Sequence, residues 1–220
     1  PHYPKISNVH LALDTENDFV RLSNIMNRMN KAPSSYGMND VIDLEQGKSS
    51  KTPFRGKHGP LLIAEIGGNH EGDFEYAKKL TNLAIDTGVD FVKFQMYRGD
   101  TLVSAAESDN RNKHFKKFEL KRDQYEKLAE MCRNSKVGFL VSVWDLEMLD
   151  WIDSYLTIYK IGSGDLTAWP ILREFVKRGK PIILSTGLAT LEEILQTVSQ
   201  IQKVDKRYQK PNMLSLLQCT

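Results

Sequence analysis

The sequence predicts an α/β fold in which helices cover a parallel β-sheet. Short apolar runs alternate along the chain with longer segments whose apolar residues recur at helical spacing. Because these short runs are apolar on both faces, they are typical of strands buried inside a parallel sheet. The predicted strands are residues 61–66, 90–96, 137–143, 158–161, 180–185 and 213–218.

Helices are predicted in the intervals between these strands, as expected for successive βαβ units. The predicted helices are residues 73–87, 122–135, 146–154, 171–178 and 191–203. Two closures fit this alternation, a doubly wound open sheet and a TIM (β/α)8 barrel, here with about six of the eight strands present. No G-x-G-x-x-G motif follows the first strand, which weakens the case for a dinucleotide-binding fold.

Polar side chains lie at or just after the carboxyl ends of the predicted strands. In a barrel these ends converge on one mouth, whereas an open sheet would spread them along an edge, so their number favours the barrel. These residues are Glu65, Lys93, Gln95, Ser142, Lys160, Ser163, Ser185, Thr186 and Gln218.

Residues 1–58 differ from the rest and are predicted to be an N-terminal extension and linker, followed by the barrel domain at 59–220. A short strand is predicted at 10–13. A helix is predicted at 14–30, because Phe19, Leu22, Ile25, Met26 and Met29 fall on one face. Residues 31–59 have the composition of a linker or loop.

Composition excludes several classes of function. The net charge of +2 gives no support for binding to nucleic acid or to a membrane surface. No apolar run reaches membrane-spanning length, and no signal-peptide core is present at the N-terminus. Cys132 and Cys219 lack metal-site or disulfide spacing, so we expect reduced thiols in a cytoplasmic protein.

Two lysines suggest the chemistry of the predicted mouth. Lys93 and Lys160 lie in otherwise apolar strands, where an ammonium group is costly to bury without an anionic partner. With the hydroxyls of Ser163 and Ser185, they would bind a small phosphorylated anion. In the alternative interpretation, the lysines form ion pairs with Glu65 or Asp165 that only tie strands together.

The polar excursion, residues 97–117, separates the second strand from its helix and has no apolar periodicity. It is longer than a usual βα connection, and loops at this face of a barrel set substrate choice. We expect it to fold over the mouth, to recognise the substrate, and to be mobile until substrate binds. The alternative is a disordered surface insertion.

Five motifs together resemble the sialic acid synthase family, in order and in spacing, over roughly residues 60–220. They are Ala64-Glu-Ile-Gly-Gly-Asn-His-Glu-Gly72, Phe91-Val-Lys-Phe-Gln95, Tyr159-Lys-Ile-Gly-Ser-Gly-Asp165, Lys180-Pro-Ile-Ile-Leu-Ser-Thr-Gly187 and Leu217-Gln-Cys-Thr220. The resemblance implies a (β/α)8 barrel that condenses phosphoenolpyruvate with N-acetylmannosamine or a related acylamino sugar, giving a nine-carbon sugar acid and phosphate. It also implies a homodimer and a divalent metal, manganese or magnesium.

The resemblance also assigns roles to residues of this chain. Lys93, Lys160, Ser163 and Ser185 would hold the phosphate and carboxylate of phosphoenolpyruvate. The residues implied to be catalytic are Glu65, Lys93, Gln95, Lys160 and Asp165. Those implied to bind substrate are Asn69, His70, Ser142, Ser163, Ser185 and Thr186.

This chain departs from the family pattern after the third strand, where Ser142-Val-Trp144 stands in place of Ser-Thr-Pro or Ser-Thr-Val. The threonine hydroxyl that would contact the phosphate is therefore absent at Val143. No metal ligand is assigned within the sequence, because the histidines that bind the metal in the family are expected beyond Thr220, in a longer parent chain. Two other functions stay open, a related synthase that uses a phosphorylated aldose and a non-catalytic barrel subunit.

Overall fold

Six parallel strands form the centre of the fold. The structure is a computed structural model that describes residues 15–29, 41, 53–57 and 59–219. The chain divides into two units, Pro1–Thr52 and Pro53–Thr220. In the first unit, helix α1 spans Glu16–Arg28, which confirms the predicted helix. Ile25 is buried but Phe19 and Met26 are exposed, so the predicted apolar face is buried only in part. The strand predicted at 10–13 lies outside the described residues.

The second unit begins with a small antiparallel hairpin of β1 (Arg55–Gly56) and β2 (Gly59–Pro60). Arg55, Gly56 and Gly59 fall in the segment with the composition of a linker or loop, and Pro60 follows it directly. The carboxylate of Asp90 fixes the hairpin, because it accepts hydrogen bonds from the backbone N–H groups of Lys57 and Leu62, both at 2.9 Å. Most of 31–59 lies outside the described residues.

The strands form two three-stranded parallel sheets. The first has the order β3 (Ile63–Gly67), β4 (Phe91–Met96) and β5 (Gly138–Val143). The second has the order β6 (Tyr159–Ile161), β7 (Ile182–Ser185) and β8 (Leu214–Leu217). β5 lies next to β6, so the two sheets follow one another in space. All six predicted strands are confirmed, and so is the parallel α/β architecture.

Helices pack against the outer face of the strands and bury the core. Val92, Phe94 and Met96 of β4 are fully buried in this core, so Lys93 and Gln95 between them project to the opposite face. The helices are α2 (Phe74–Asp86), α3 (Gly99–Leu102), α4 (Asp109–Lys117), α5 (Arg122–Asn134), α6 (Leu146–Ile152), α7 (Trp169–Arg178) and α8 (Leu191–Val204). Lys93 therefore faces away from its apolar neighbours in β4.

Local capping sets the helix boundaries. Asp73 accepts a hydrogen bond from the backbone N–H of Tyr76 and begins α2. Thr190 and Glu193 form a reciprocal capping box at the start of α8. α7 ends at Gly179, whose φ of +75° is the left-handed conformation that glycine adopts readily.

The polar excursion contains two helices, which contradicts the alternative of a disordered surface insertion. Its folding over the mouth and its contact with the sugar stay predictions. It contains α3 and α4, and the buried side chain of Asn112 joins them by donating to the carbonyls of Val103 at 2.6 Å and Gly99 at 3.3 Å. Phe115 packs edge-on against Tyr97 at 5.4 Å between ring centroids. A buried polar residue and an aromatic contact therefore stabilise the excursion, whose sequence has no apolar periodicity.

Candidate active site

The predicted site residues come from both sheets, and we call the group at the carboxyl ends of the strands the strand-end site. It consists of Glu65, Lys93, Gln95, Ser142, Lys160, Ser163, Asp165 and Ser185. Strand register brings several of them together, since Glu65 is paired with Lys93 and Gln95 with Ser142. Parallel strands end on the same side, so short-range contacts between side chains from different strands become possible there.

Lys93 forms an ion pair with Glu65, with 2.8 Å between Nζ and Oε2. The lysine side chain is 5% exposed and the glutamate side chain 50%, so the cation is buried while the carboxylate still contacts solvent. Gly67 lies beside this pair at φ +57°, and a Cβ there would lie 3.3 Å from Oε1 of Glu65 and 3.6 Å from Nε2 of Gln95. Glycine suits this position because of the positive φ and because a Cβ would crowd the Glu65 carboxylate.

Lys160 is bound by neutral groups. Its Nζ donates to Oγ of Ser185 at 2.6 Å and to the carbonyl of Ile161 at 2.9 Å. Burial, together with the nearby charge of Lys93, lowers the pKa of Lys160 to about 8. Among the residues that the structure describes, no carboxylate forms an ion pair with it, so the structural interpretation of the lysines fits Lys93 but not Lys160.

Asp165 lies in a short 3-10 turn, Ser163–Asp165, that follows β6. Its Oδ2 accepts a hydrogen bond of 2.6 Å from Nε1 of Trp144. Burial raises the pKa of the Asp165 carboxyl, while the Trp144 hydrogen bond and the charge of Lys160 act in the opposite direction. With Ser142, Lys160 and apolar residues of α7, Asp165 lines a pocket of about 10 Å³, room for about one water molecule.

Ser163 and Thr186 lie near the last strand of the second sheet. A Cβ added at Gly187 would lie 2.9 Å from Sγ of Cys219 and 3.3 Å from Oγ of Ser163, so these groups meet across Gly187. Thr186 donates both its backbone N–H and its hydroxyl to the carbonyl of Leu217. The Thr186 hydroxyl therefore links β7 to β8, and its predicted contact with substrate stays a prediction.

The loop after β3 places the other two predicted residues differently. His70 is buried, its Nδ1 accepts a hydrogen bond from the backbone N–H of Gly72, and its ring lies 6.2 Å from that of Phe94. Burial lowers the pKa of His70. Asn69 is exposed, and its backbone N–H donates to the carbonyl of Ile66. These contacts shape the loop, and the substrate contacts of both residues stay predictions.

Sequence reasoning missed three neighbours of the site. Trp144 appeared only as a departure from a family pattern, although an aromatic residue directly after a strand end is well placed to reach the site. Cys219 contributes to the electrostatic environment of Lys160, and the Tyr125 hydroxyl donates to the Gln95 carbonyl at 2.7 Å. Tyr125 had no sequence feature that distinguishes it from other apolar positions of its helix.

The described part of the chain does not fit a metal site. Within it, no group of three His, Cys, Asp or Glu side chains is arranged to hold a metal ion. Cys132 and Cys219 are both free thiols. No helix among the described residues has the length and apolar character needed to cross a membrane.

Comparison with known proteins finds a family model and several relatives that match this chain. Residues 80–220 match the model of the NeuB family. N,N'-diacetyllegionaminic acid synthase from Campylobacter jejuni is 35% identical over 173 residues, which cover 73% of this chain and 51% of that protein. N-acetylneuraminate-9-phosphate synthase from Mus musculus is 30% identical over 177 residues, covering 75% of this chain and 48% of the relative.

A solved structure agrees with these relatives. The N-acetylneuraminic acid (sialic acid) synthetase from Leptospira borgpetersenii, in complex with citrate, superposes with a TM-score of 0.65 at 27% identity. The match covers 73% of this chain and 54% of that structure. The chain spans about half the length of the curated relatives it matches.

Proposed function

The chain belongs to the NeuB family, and we propose that its protein condenses phosphoenolpyruvate with an acylamino sugar, N-acetylmannosamine or a close relative. The products would be a nine-carbon sugar acid and inorganic phosphate. Family membership confirms the resemblance to sialic acid synthases found in the motifs. The names of the relatives support a synthase of this kind, and they differ in the sugar acid that they make.

The observation that carries this proposal is a lysine at the strand-end site, Lys160, that forms no ion pair with any of the described residues. Lys160 has only neutral hydrogen-bonding partners among the described residues, and its pKa is lowered to about 8 partly by Lys93. Two cations that disfavour each other are stabilised when an anion binds between them. Phosphoenolpyruvate carries a phosphate and a carboxylate, so it offers an anionic group to each of the two lysines.

In the proposed reaction, C3 of phosphoenolpyruvate attacks the aldehyde carbon of the open-chain sugar, and the aldehyde oxygen takes up a proton. Water adds at C2, and phosphate leaves by cleavage of the C2–O bond. Lys93 and Lys160 would neutralise the phosphate and carboxylate throughout, with hydroxyl contacts from Ser163 and Ser185. Glu65 and Asp165 would orient sugar hydroxyls or transfer the proton.

We also propose that the two sheets are part of a (β/α)8 barrel. Support comes from their parallel strands and from the pocket that residues of β5 and β6 line together. A divalent metal, a homodimer and a cytoplasmic location stay predictions for the full-length protein. Because the described residues do not fit a metal site, no step above is assigned to a metal.

The test is phosphate release by the full-length protein from phosphoenolpyruvate and a panel of sugars. The panel should contain acylamino hexoses, free and phosphorylated, and phosphorylated aldoses that lack the acylamino group. We expect phosphate and a sugar acid, identified by mass spectrometry, only with an acylamino sugar. Turnover confined to phosphorylated aldoses would point to the related synthase instead, and no turnover with any sugar would contradict an enzymatic role.

A further inference from the structure

Trp144 connects the two sheets at the strand-end site. It follows β5 directly, and its indole Nε1–H donates to Oδ2 of Asp165, which follows β6, at 2.6 Å. Both side chains are half-buried. A hydrogen bond from an N–H group to a carboxylate in such a setting is charge-assisted and stronger than one between neutral groups.

The surroundings of Trp144 fix the direction of its indole N–H. Its backbone N–H donates to the carbonyl of Met96 at 3.1 Å, and its ring lies 6.0 Å from that of Tyr97. Tyr97 is held in turn by its edge-on contact with Phe115 of the polar excursion. The excursion thus contacts the residue that positions this indole.

The residue after Trp144 is also fixed. Asp145 caps α6 by accepting from the backbone N–H groups of Glu147 and Met148, and its Oδ2 pairs with Nη2 of Arg98 at 2.5 Å. The backbone on both sides of the indole is therefore anchored. Turning the indole N–H away from Asp165 would break this hydrogen bond and the ring contact with Tyr97.

We propose that Trp144 is a positioning residue that holds the Asp165 carboxylate ionised and oriented beside Lys160 for the reaction. This role rests on the proposed function, because it gives the ionised carboxylate a part in that reaction. The role also concerns the position at which this chain departs from the family pattern, because Trp144 stands where the pattern has proline or valine. Val143 brings no hydroxyl to the site, whereas Trp144 brings a hydrogen-bond donor.

The charges around Asp165 agree with this role. The positive charge of Lys160 lowers the pKa of Asp165, and Lys93, Glu65 and Cys219 act in turn on Lys160. On the Trp144 side, Asp145 is neutralised by Arg98. Because burial raises the pKa of Asp165 while the indole lowers it, removal of the indole N–H should raise this pKa further.

The first arm of the test needs no activity. Full-length protein is labelled with 15N at tryptophan, and the indole N–H signal of Trp144 is identified by its loss in Trp144→Phe. At neutral pH, Asp165→Ala should move this signal and speed its exchange with solvent. Trp169, whose Nε1 donates to the neutral hydroxyl of Thr197 at 3.3 Å, provides an internal control that should not change. An unchanged Trp144 signal in Asp165→Ala would overturn the proposal.

The second arm measures the pH dependence of kcat/KM. Trp144→Phe keeps an aromatic ring but removes the N–H, so we expect kcat/KM to fall about tenfold at neutral pH. The acid limb of the profile should move to higher pH, which lost packing alone would not cause. Trp169→Phe is the matched control and should retain the wild-type profile.

The outcomes separate the two proposals. A Trp144→Phe profile that superposes on that of the wild type would overturn the positioning role, even if the hydrogen bond is seen by NMR. If the wild type turns over no sugar at all, the proposed function fails. In that case the NMR arm still decides whether Trp144 holds Asp165.

Discussion

Replacing Lys160 with Met separates a role in binding from a role in stability. In the folded protein Lys160 donates to Ser185 and to the carbonyl of Ile161, without an ion pair among the described residues. If it contacts the phosphate or carboxylate of phosphoenolpyruvate, its loss removes a charge-assisted hydrogen bond worth about 1.5–3 kcal/mol. The KM for phosphoenolpyruvate should then rise roughly 10- to 150-fold.

Stability should respond in the opposite direction. The pKa of Lys160 is lowered from 10.5 to about 8 in the folded state, so at neutral pH the fold holds a charge that its surroundings disfavour. Between these two pH values the unfolded chain binds more protons than the folded one, so the free energy of unfolding of the wild type should rise with pH. Below about pH 8 the destabilisation is fully present, and Met abolishes it.

The assays are phosphate-release kinetics and thermal unfolding at pH 7, with urea unfolding repeated up to pH 10. Lys160→Met should lose binding while its Tm stays equal to or above that of the wild type. Lys177→Met is the matched control, because Lys177 is an exposed lysine that pairs with Glu174 on α7. A Tm several degrees lower in Lys160→Met would show that the lysine ties strands together, and an unchanged KM would refute its contact with the anion.

Two further predictions concern stability. Asn112→Ala removes the buried amide that joins α3 to α4 and takes its donor from the carbonyl of Val103, whereas the Gly99 carbonyl keeps the backbone N–H of Val103, so the free energy of unfolding in urea should fall by about 1–3 kcal/mol. The exposed Asn110→Ala is its control, and equal effects would show that the buried amide is dispensable. Because burial lowers the pKa of His70 from 6.5, the unfolded chain takes up this proton first, and stability should decline as the pH falls below 6.5. His70→Gln should decline less over that range in thermal unfolding, and an identical pH dependence would contradict this origin.

The sequence by itself determined the order and type of the elements that build the sheet. Apolar runs and helical periodicity are visible in the local sequence, and the residues that form them are the ones that the folded protein buries. In β4, for example, Val92, Phe94 and Met96 are buried in the core. Polar residues in these runs indicated the strand-end site for the same reason. A lysine between buried apolar neighbours must face the other way, so Lys93 and Lys160 were recognisable without coordinates.

Only the tertiary structure decided which of these side chains pair. Glu65 neutralises Lys93 and leaves Lys160 with neutral partners, a distinction that either lysine alone does not reveal. The hydrogen bond from Trp144 to Asp165 and the fixation of the hairpin by Asp90 likewise join residues far apart in the chain. The two helices of the polar excursion were not predicted, because contacts of Asn112 and Phe115 hold them and no apolar stripe marks them in the sequence. The packing of strands and loops brings such partners together, and the spacing of residues along the chain does not predict it.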